Sequence, residues 1–140
     1  MSMQLAIYKT IVLIEDNEGQ AVLIRKNLRR CGIKDDIVHL KQGSDALDYI
    51  HGKGKFIGRL KENKLALILD IQLPKIDGIN ILRHIKEDPE TKDISVNIFT
   101  ARDEPEVAML CSRLGCTSFT IKPVKYSEFF EKIQNIVNYI

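Results

Sequence analysis

The chain has 140 residues, 44% of them hydrophobic and 29% charged, which suits one compact domain and is too short for two ordinary ones. Its 21 Lys and Arg against 19 Asp and Glu leave a net charge of +2, and the isoelectric point near 8.4 lacks the strongly basic balance of a nucleic-acid binder. Three cysteines (Cys31, Cys111 and Cys116) exclude a disulfide framework, and no apolar run reaches the roughly 18 residues of a membrane span. The start, MSMQLAIYKT, has no basic segment leading into a long apolar one, so no signal peptide is expected. The expectation is a cytoplasmic single domain with no direct contact to nucleic acid or membrane.

Residues 10–14 (TIVLI) are rich in β-branched side chains and predict a buried strand. Asn17 then caps a helix, with Gln20 three residues on completing a capping-box pattern. Ala21, Ile24, Leu28 and Cys31 share one face of that helix, and Gly32 ends it. Residues 37–40 form a second, weaker strand, and Ser44 caps a short helix through Ile50. Residues 51–64 (HGKGKFIGRLKENK) read as a long basic loop, either solvated or a docking surface. Residues 65–69 (LALIL) predict a strand apolar on both faces, as in the centre of a parallel sheet. Ile79, Leu82 and Ile85 line a helix that stops before Pro89, and residues 96–99 give the fourth strand. Pro105 opens a helix that ends at Gly115, residues 118–121 form a fifth strand, and Ser127 caps a last helix. Five strand–helix units in strict alternation predict an α/β domain with a parallel sheet and helices on both faces.

Ligands of an open parallel sheet bind at the carboxyl ends of its strands. Glu15 and Asp16 follow the first strand, Asp70 the third, Thr100 the fourth and Lys122 the fifth. Singly, each has a plain reading as a helix cap or a solvated charge. Jointly they do not, because three carboxylates gathered on one rim repel unless a counter-charge joins them. Lys122 supplies one positive charge, and a hard divalent cation supplies two. Mg²⁺ fits best, since it prefers oxygen ligands and takes one or two carboxylates with a phosphate. A metal beside a lysine and a hydroxyl is a phosphoryl-binding arrangement. The remaining carboxylate, Asp70, is then available as a nucleophile that forms an aspartyl-phosphate.

The segments LIEDNE (13–18), LILDIQLPKIDG (67–78), IFTA (98–101) and FTIKPV (119–124) resemble, in order and spacing, the receiver domain of two-component response regulators. The long loop before the third strand and the lack of an output domain give a closer likeness to single-domain regulators associated with bacterial phytochromes. The resemblance implies a flavodoxin-like sheet of order 2-1-3-4-5, a receiver domain over residues 10–140 and an N-terminal extension over residues 1–9. It implies that Asp70 accepts a phosphoryl group from a sensor histidine kinase or a phosphotransfer protein. Asp16 would ligate Mg²⁺ directly, Glu15 directly or through water, and the backbone carbonyl of Gln72 would complete the set with Asp70. Thr100 would bond the phosphoryl group, Lys122 would pair with it, and Phe119 would be the aromatic switch residue. Lys122–Pro123 matches a peptide bond that is often cis in the family.

Glu15 stands where the family often has Asp, and Gln72 and Arg102 occupy positions that tune the lifetime of the acyl phosphate. The function implied is a phosphorylation-controlled signalling switch and not a metabolic enzyme. An Asp-nucleophile phosphatase would need a general acid two residues on, where Gln72 stands. The alternative is a receiver-like docking module that works without phosphorylation. The last helix carries Phe129, Phe130, Ile136, Val137, Tyr139 and Ile140, more apolar surface than one core should cover. A homodimer or kinase contact through the fourth helix, fifth strand and last helix is therefore expected.

Overall fold

A computed structural model describes residues 9–59 and 64–140. Residues 1–8 of the expected N-terminal extension lie outside the described residues, as do residues 60–63 of the basic loop. The chain alternates strand and helix: β1 (Lys9–Ile14), α1 (Glu18–Arg30), β2 (Asp36–Leu40), α2 (Gly43–His51), β3 (Lys64–Leu69), α3 (Gly78–Glu87), β4 (Ser95–Thr100), α4 (Pro105–Leu114), β5 (Ser118–Ile121) and α5 (Phe129–Val137). All strand pairs are parallel, in the order β2-β1-β3-β4-β5. The predicted architecture is the observed one.

Each central strand is apolar on both faces because each face has its own helix layer. In β1, Val12 and Ile14 pack with Leu67, Leu69, Val96 and Ile98 beneath α2, α3 and α4. Ile11 and Leu13 point the other way, with Ile68 and Phe99, against α1 and α5. Side chains alternate along a strand, so two half-cores follow directly from continuous apolar runs.

The helix starts correct three sequence expectations. Asn17 does cap α1, its side chain accepting from the Gln20 N–H at 2.9 Å. The Gln20 side chain, however, turns away from the capping box and bonds Lys122. In α2 the N-cap is Gln42 without a side-chain bond, so Ser44 lies inside the first turn. Ser127 sits within a 3-10 turn, Tyr126–Glu128, that precedes α5. That turn delays the α-helix by making tighter bonds first, so a serine cap has no role there.

The basic stretch after α2 is partly packed. Arg59 donates to the carbonyls of Tyr49 (2.6 Å) and Ile50 (2.8 Å) at the end of α2, and its guanidinium lies 4.8 Å from the Tyr49 ring. Phe56 meets the same ring edge-on at 5.1 Å. The helix ends at Gly52, whose φ of 64° falls in the left-handed region that favours glycine.

Candidate functional site

Strand register brings the candidate residues together. Ile14 pairs with Leu69 across β1 and β3, so the next residues, Glu15 and Asp70, emerge side by side. Backbone bonds extend the register into the loops: Asp70 N–H donates to the Ile14 carbonyl at 3.1 Å and Glu15 N–H to the Leu40 carbonyl at 3.0 Å. On the other side, Thr100 pairs with Ile121, and Lys122 N–H donates to the Thr100 carbonyl at 2.7 Å. The side chain of Lys122 then reaches across β4 and β3 to the acidic edge.

Its ammonium is the centre of the site. Lys122 Nζ donates to Asp70 Oδ2 at 2.7 Å, Glu15 Oε1 at 2.5 Å and Gln20 Oε1 at 2.5 Å. An ammonium has three N–H donors, and all three are used. Lys122, Glu15 and Asp70 are each buried, so this is an ion cluster shielded from water. Burial pushes the Glu15 carboxyl above its ordinary range, and the Asp70 charge adds to that; the bond and charge of Lys122 offset it only in part.

Glu15, Asp16 and Asp70 each offer a carboxylate oxygen, and these oxygens lie within 4.8 Å of one another. Glu15 and Asp70 are buried and Asp16 is exposed, which leaves the cluster open on one side. An all-oxygen set of this kind fits a hard divalent cation. Gln72 joins through its N–H, which donates to Asp70 Oδ1 at 3.1 Å and helps fix the carboxylate. Glycine at position 78 is what allows the turn: a Cβ there would lie 2.4 Å from the Asp70 carbonyl oxygen. His39 adds a contact from β2, its Nε2 lying 2.7 Å from the Glu15 carbonyl oxygen.

Thr100 is fully buried, and its hydroxyl accepts from the Arg102 N–H at 3.3 Å. Phe119 is half-buried and pairs with Ile98, two residues before Thr100 on β4, so both side chains belong to the same face of the sheet. All peptide bonds among the described residues are trans, including Lys122–Pro123, the lower-energy isomer by about 0.5–1 kcal/mol for an X–Pro bond. Gln20 and His39 were not legible as site residues. Gln20 fits a helix start so well that its second use is hidden, and His39 lies on a strand whose end carries no reactive group.

The expected apolar excess of α5 is mostly covered. Phe129, Ile133 and Ile136 are buried against α1 and the sheet, and the Arg30 guanidinium sits 4.4 Å from the Phe130 ring centre. The exposed large apolar residues of this side are Met109, Ile121, Val124, Tyr126 and Tyr139. A cavity of about 550 Å³ opens at the opposite, amino end of the sheet, beside Lys9, Lys64 and Ser95, away from the acidic rim. No helix among the described residues is long and apolar enough to cross a membrane.

Three similarities bear on this geometry. The chain is 30% identical over 132 residues to the probable methanogenesis regulatory protein FilR2 of Methanothrix harundinacea, covering 92% of this chain and 81% of that protein. The structure of the phosphorylated cyanobacterial phytochrome response regulator RcpA superposes with a TM-score of 0.85 at 26% identity, covering 94% of this chain and 93% of that one. A response regulator receiver domain from Rhodospirillum rubrum reaches 37% identity with a TM-score of 0.81, covering 91% and 89%. Residues 11–134 match the sequence profile of the response regulator receiver domain. With that match spanning both ends of the sheet and all four rim segments, the chain belongs to the response regulator receiver domain family of two-component signalling.

Proposed function

We propose that this protein is a response regulator whose receiver domain accepts a phosphoryl group on Asp70 from a sensor histidine kinase or a phosphotransfer protein, in a Mg²⁺-dependent reaction. The observation that carries the reading is the Lys122 ammonium bonded to both Glu15 and Asp70 at the carboxyl edge of the sheet. A cationic donor held against a buried carboxylate is what a nucleophile needs when its product carries extra negative charge.

In the reaction, an Asp70 carboxylate oxygen attacks the phosphorus of a phosphohistidine. The P–O bond forms as the P–N bond breaks, and the phosphohistidine ring, already protonated on its other nitrogen, takes the P–N electron pair and leaves as neutral imidazole. Lys122 keeps its charge and bonds the new phosphoryl oxygens; the buried Thr100 hydroxyl, which accepts from the Arg102 N–H, donates its own O–H to them. Glu15, Asp16, Asp70 and the Gln72 carbonyl would hold Mg²⁺, which when bound supplies charge neutralisation for the entering phosphoryl group. Movement of Thr100 toward Asp70 opens space on the same sheet face for Phe119 to turn inward. That rearrangement changes the surface formed by α4, β5 and α5, through which the domain signals and a homodimer can form. The work is signalling in the cytoplasm, with self-catalysed phosphotransfer and dephosphorylation as its only chemistry.

The test is phosphorylation by acetyl phosphate with Mg²⁺, with intact mass as the readout. The parent chain is expected to gain one phosphoryl group, and Asp70→Asn and EDTA-treated protein none. An unchanged phosphorylated fraction in Asp70→Asn would rule the assignment out.

A further inference from the structure

The seam between α2 and α3 carries a second set of ligating side chains that shares no residue with the acidic rim. His51 is the last residue of α2, and His84 lies on the exposed side of α3. Their Nε2 atoms stand 3.3 Å apart, with the rings edge-on at 83°. Asp88, four residues after His84, is the extended C-cap residue that closes α3. Its Oδ2 lies 4.0 Å from His51 Nε2, while its Oδ1 accepts from the Glu90 N–H at 2.9 Å.

A bond between the imidazoles accounts for only part of this arrangement. Both rings present Nε2, so one must carry its proton there and the other on Nδ1. At a partly exposed position such a bond is worth little, and it does not by itself draw a carboxylate to the same nitrogen. A metal ion accounts for all three groups. Tetrahedral zinc with Zn–N distances of about 2.0–2.1 Å keeps its nitrogen ligands about 3.3 Å apart, the separation seen here. Both Nε2 lone pairs then serve one centre, and neither tautomer conflicts with the other.

We propose that His51, His84 and Asp88 form a binding site for a transition-metal dication, with Zn²⁺ the best fit, joining the end of α2 to α3. Two imidazoles and one carboxylate make a borderline donor set that Zn²⁺ accepts and Mg²⁺ does not favour, which separates this site chemically from the acidic rim. Asp88 must turn to join the imidazoles: Glu90 N–H holds its Oδ1, and rotation of the side chain would carry Oδ2, now 4.0 Å from His51 Nε2, to the metal. Water takes the fourth position on the exposed side. The proposal does not depend on phosphorylation of Asp70.

The experiment is equilibrium dialysis of the full chain against ZnCl₂, with saturating MgCl₂ and the Asp16→Ala change together keeping zinc off the rim. The expected result is one zinc per chain at micromolar free metal. Adding His84→Ala or Asp88→Asn should weaken it by about tenfold or more. His51→Gln, which keeps much of the side-chain volume, should weaken it similarly, and circular dichroism confirms that each variant is folded. Zinc uptake indifferent to all three changes, or absent from the Asp16→Ala chain at micromolar metal, would overturn the proposal.

Discussion

Lys122 donates to the side-chain oxygen of Gln20 at 2.5 Å, which closes the set of three acceptors around the ammonium with a residue from the first turn of α1. The two residues are 102 positions apart. Gln20 therefore orients Lys122 without adding charge, and it links the helix cap at Asn17 to the phosphoacceptor edge. Gln20→Ala should reduce stability by about 0.5–1.5 kcal/mol, since water can reach the half-exposed site and replace part of the bond. The rate of phosphorylation should fall severalfold while Asp70 stays the acceptor. Urea unfolding and a phosphorylation time course check both, and no change in either would remove Gln20 from the site.

Lys122→Ala tests the ion cluster. It leaves Glu15 and Asp70 buried side by side without their shared cation, and breaking such a buried pair costs about 3–5 kcal/mol. A divalent cation should recover part of that loss, so the thermal midpoint of the variant should rise more with MgCl₂ than that of the parent. Equal gains would show that Lys122 and the metal do not relieve the same repulsion.

The fold was legible because its strands are short apolar runs and its helices amphipathic, so the strict alternation of β1 through α5 could be read locally. Asp70, Lys122 and the acidic pair could be placed at strand ends for the same reason. What could not be read locally were contacts made at a distance. Nothing around Gln20 marks it as a partner of Lys122. Nothing in the sequence of α5 shows that α1 covers Phe129 and Ile136 or that Arg30 covers part of Phe130. The start of α5 was misplaced because a 3-10 turn and a helix cap draw on the same polar residues.

The raised carboxyl of Glu15 gives a pH dependence with a definite sign. Burial is its main cause, and a carboxyl raised in the folded state favours the fold while it is protonated. That contribution is complete below the ordinary value of 4.5 and is lost as pH rises through the higher folded value. Above that higher value the ionised Glu15 weighs against the metal-free fold, and a divalent cation relieves it. The gain in thermal midpoint from MgCl₂ should therefore be larger near about pH 7.5 than near about pH 5. A larger gain at the lower pH would contradict this sign.

Gly78→Ala should disturb the acceptor loop more than a one-carbon change usually does. The new Cβ would fall 2.4 Å from the Asp70 carbonyl oxygen and 2.7 Å from the Ile71 Cα, both backbone atoms with little freedom to yield. Overpacking of this kind costs about 1–3 kcal/mol. Chemical denaturation should show that loss, with slower phosphorylation beside it. A variant of parental stability would mean that the β3–α3 turn has room that this geometry does not provide.

On the output side, the homodimer test belongs on the residues that are exposed. Ile136 is fully buried, so Ile136→Asp would unfold the chain and report nothing about a surface. Val124 is 97% exposed, beside the half-exposed Ile121 at the end of β5. Light scattering with beryllofluoride, a phosphoryl mimic, should show a dimer for the parent and weaker association for Ile121→Asp and Val124→Asp. A monomer with and without the mimic would place the signal elsewhere.

The central claim is that Asp70 carries the phosphoryl group, and reductive trapping tests it most directly. Borohydride reduces an aspartyl phosphate to homoserine, which tandem mass spectrometry locates in the sequence. After treatment with acetyl phosphate and Mg²⁺, the label should appear at position 70 and vanish in EDTA. Label at Asp16 or another carboxylate with position 70 unmodified would contradict the account.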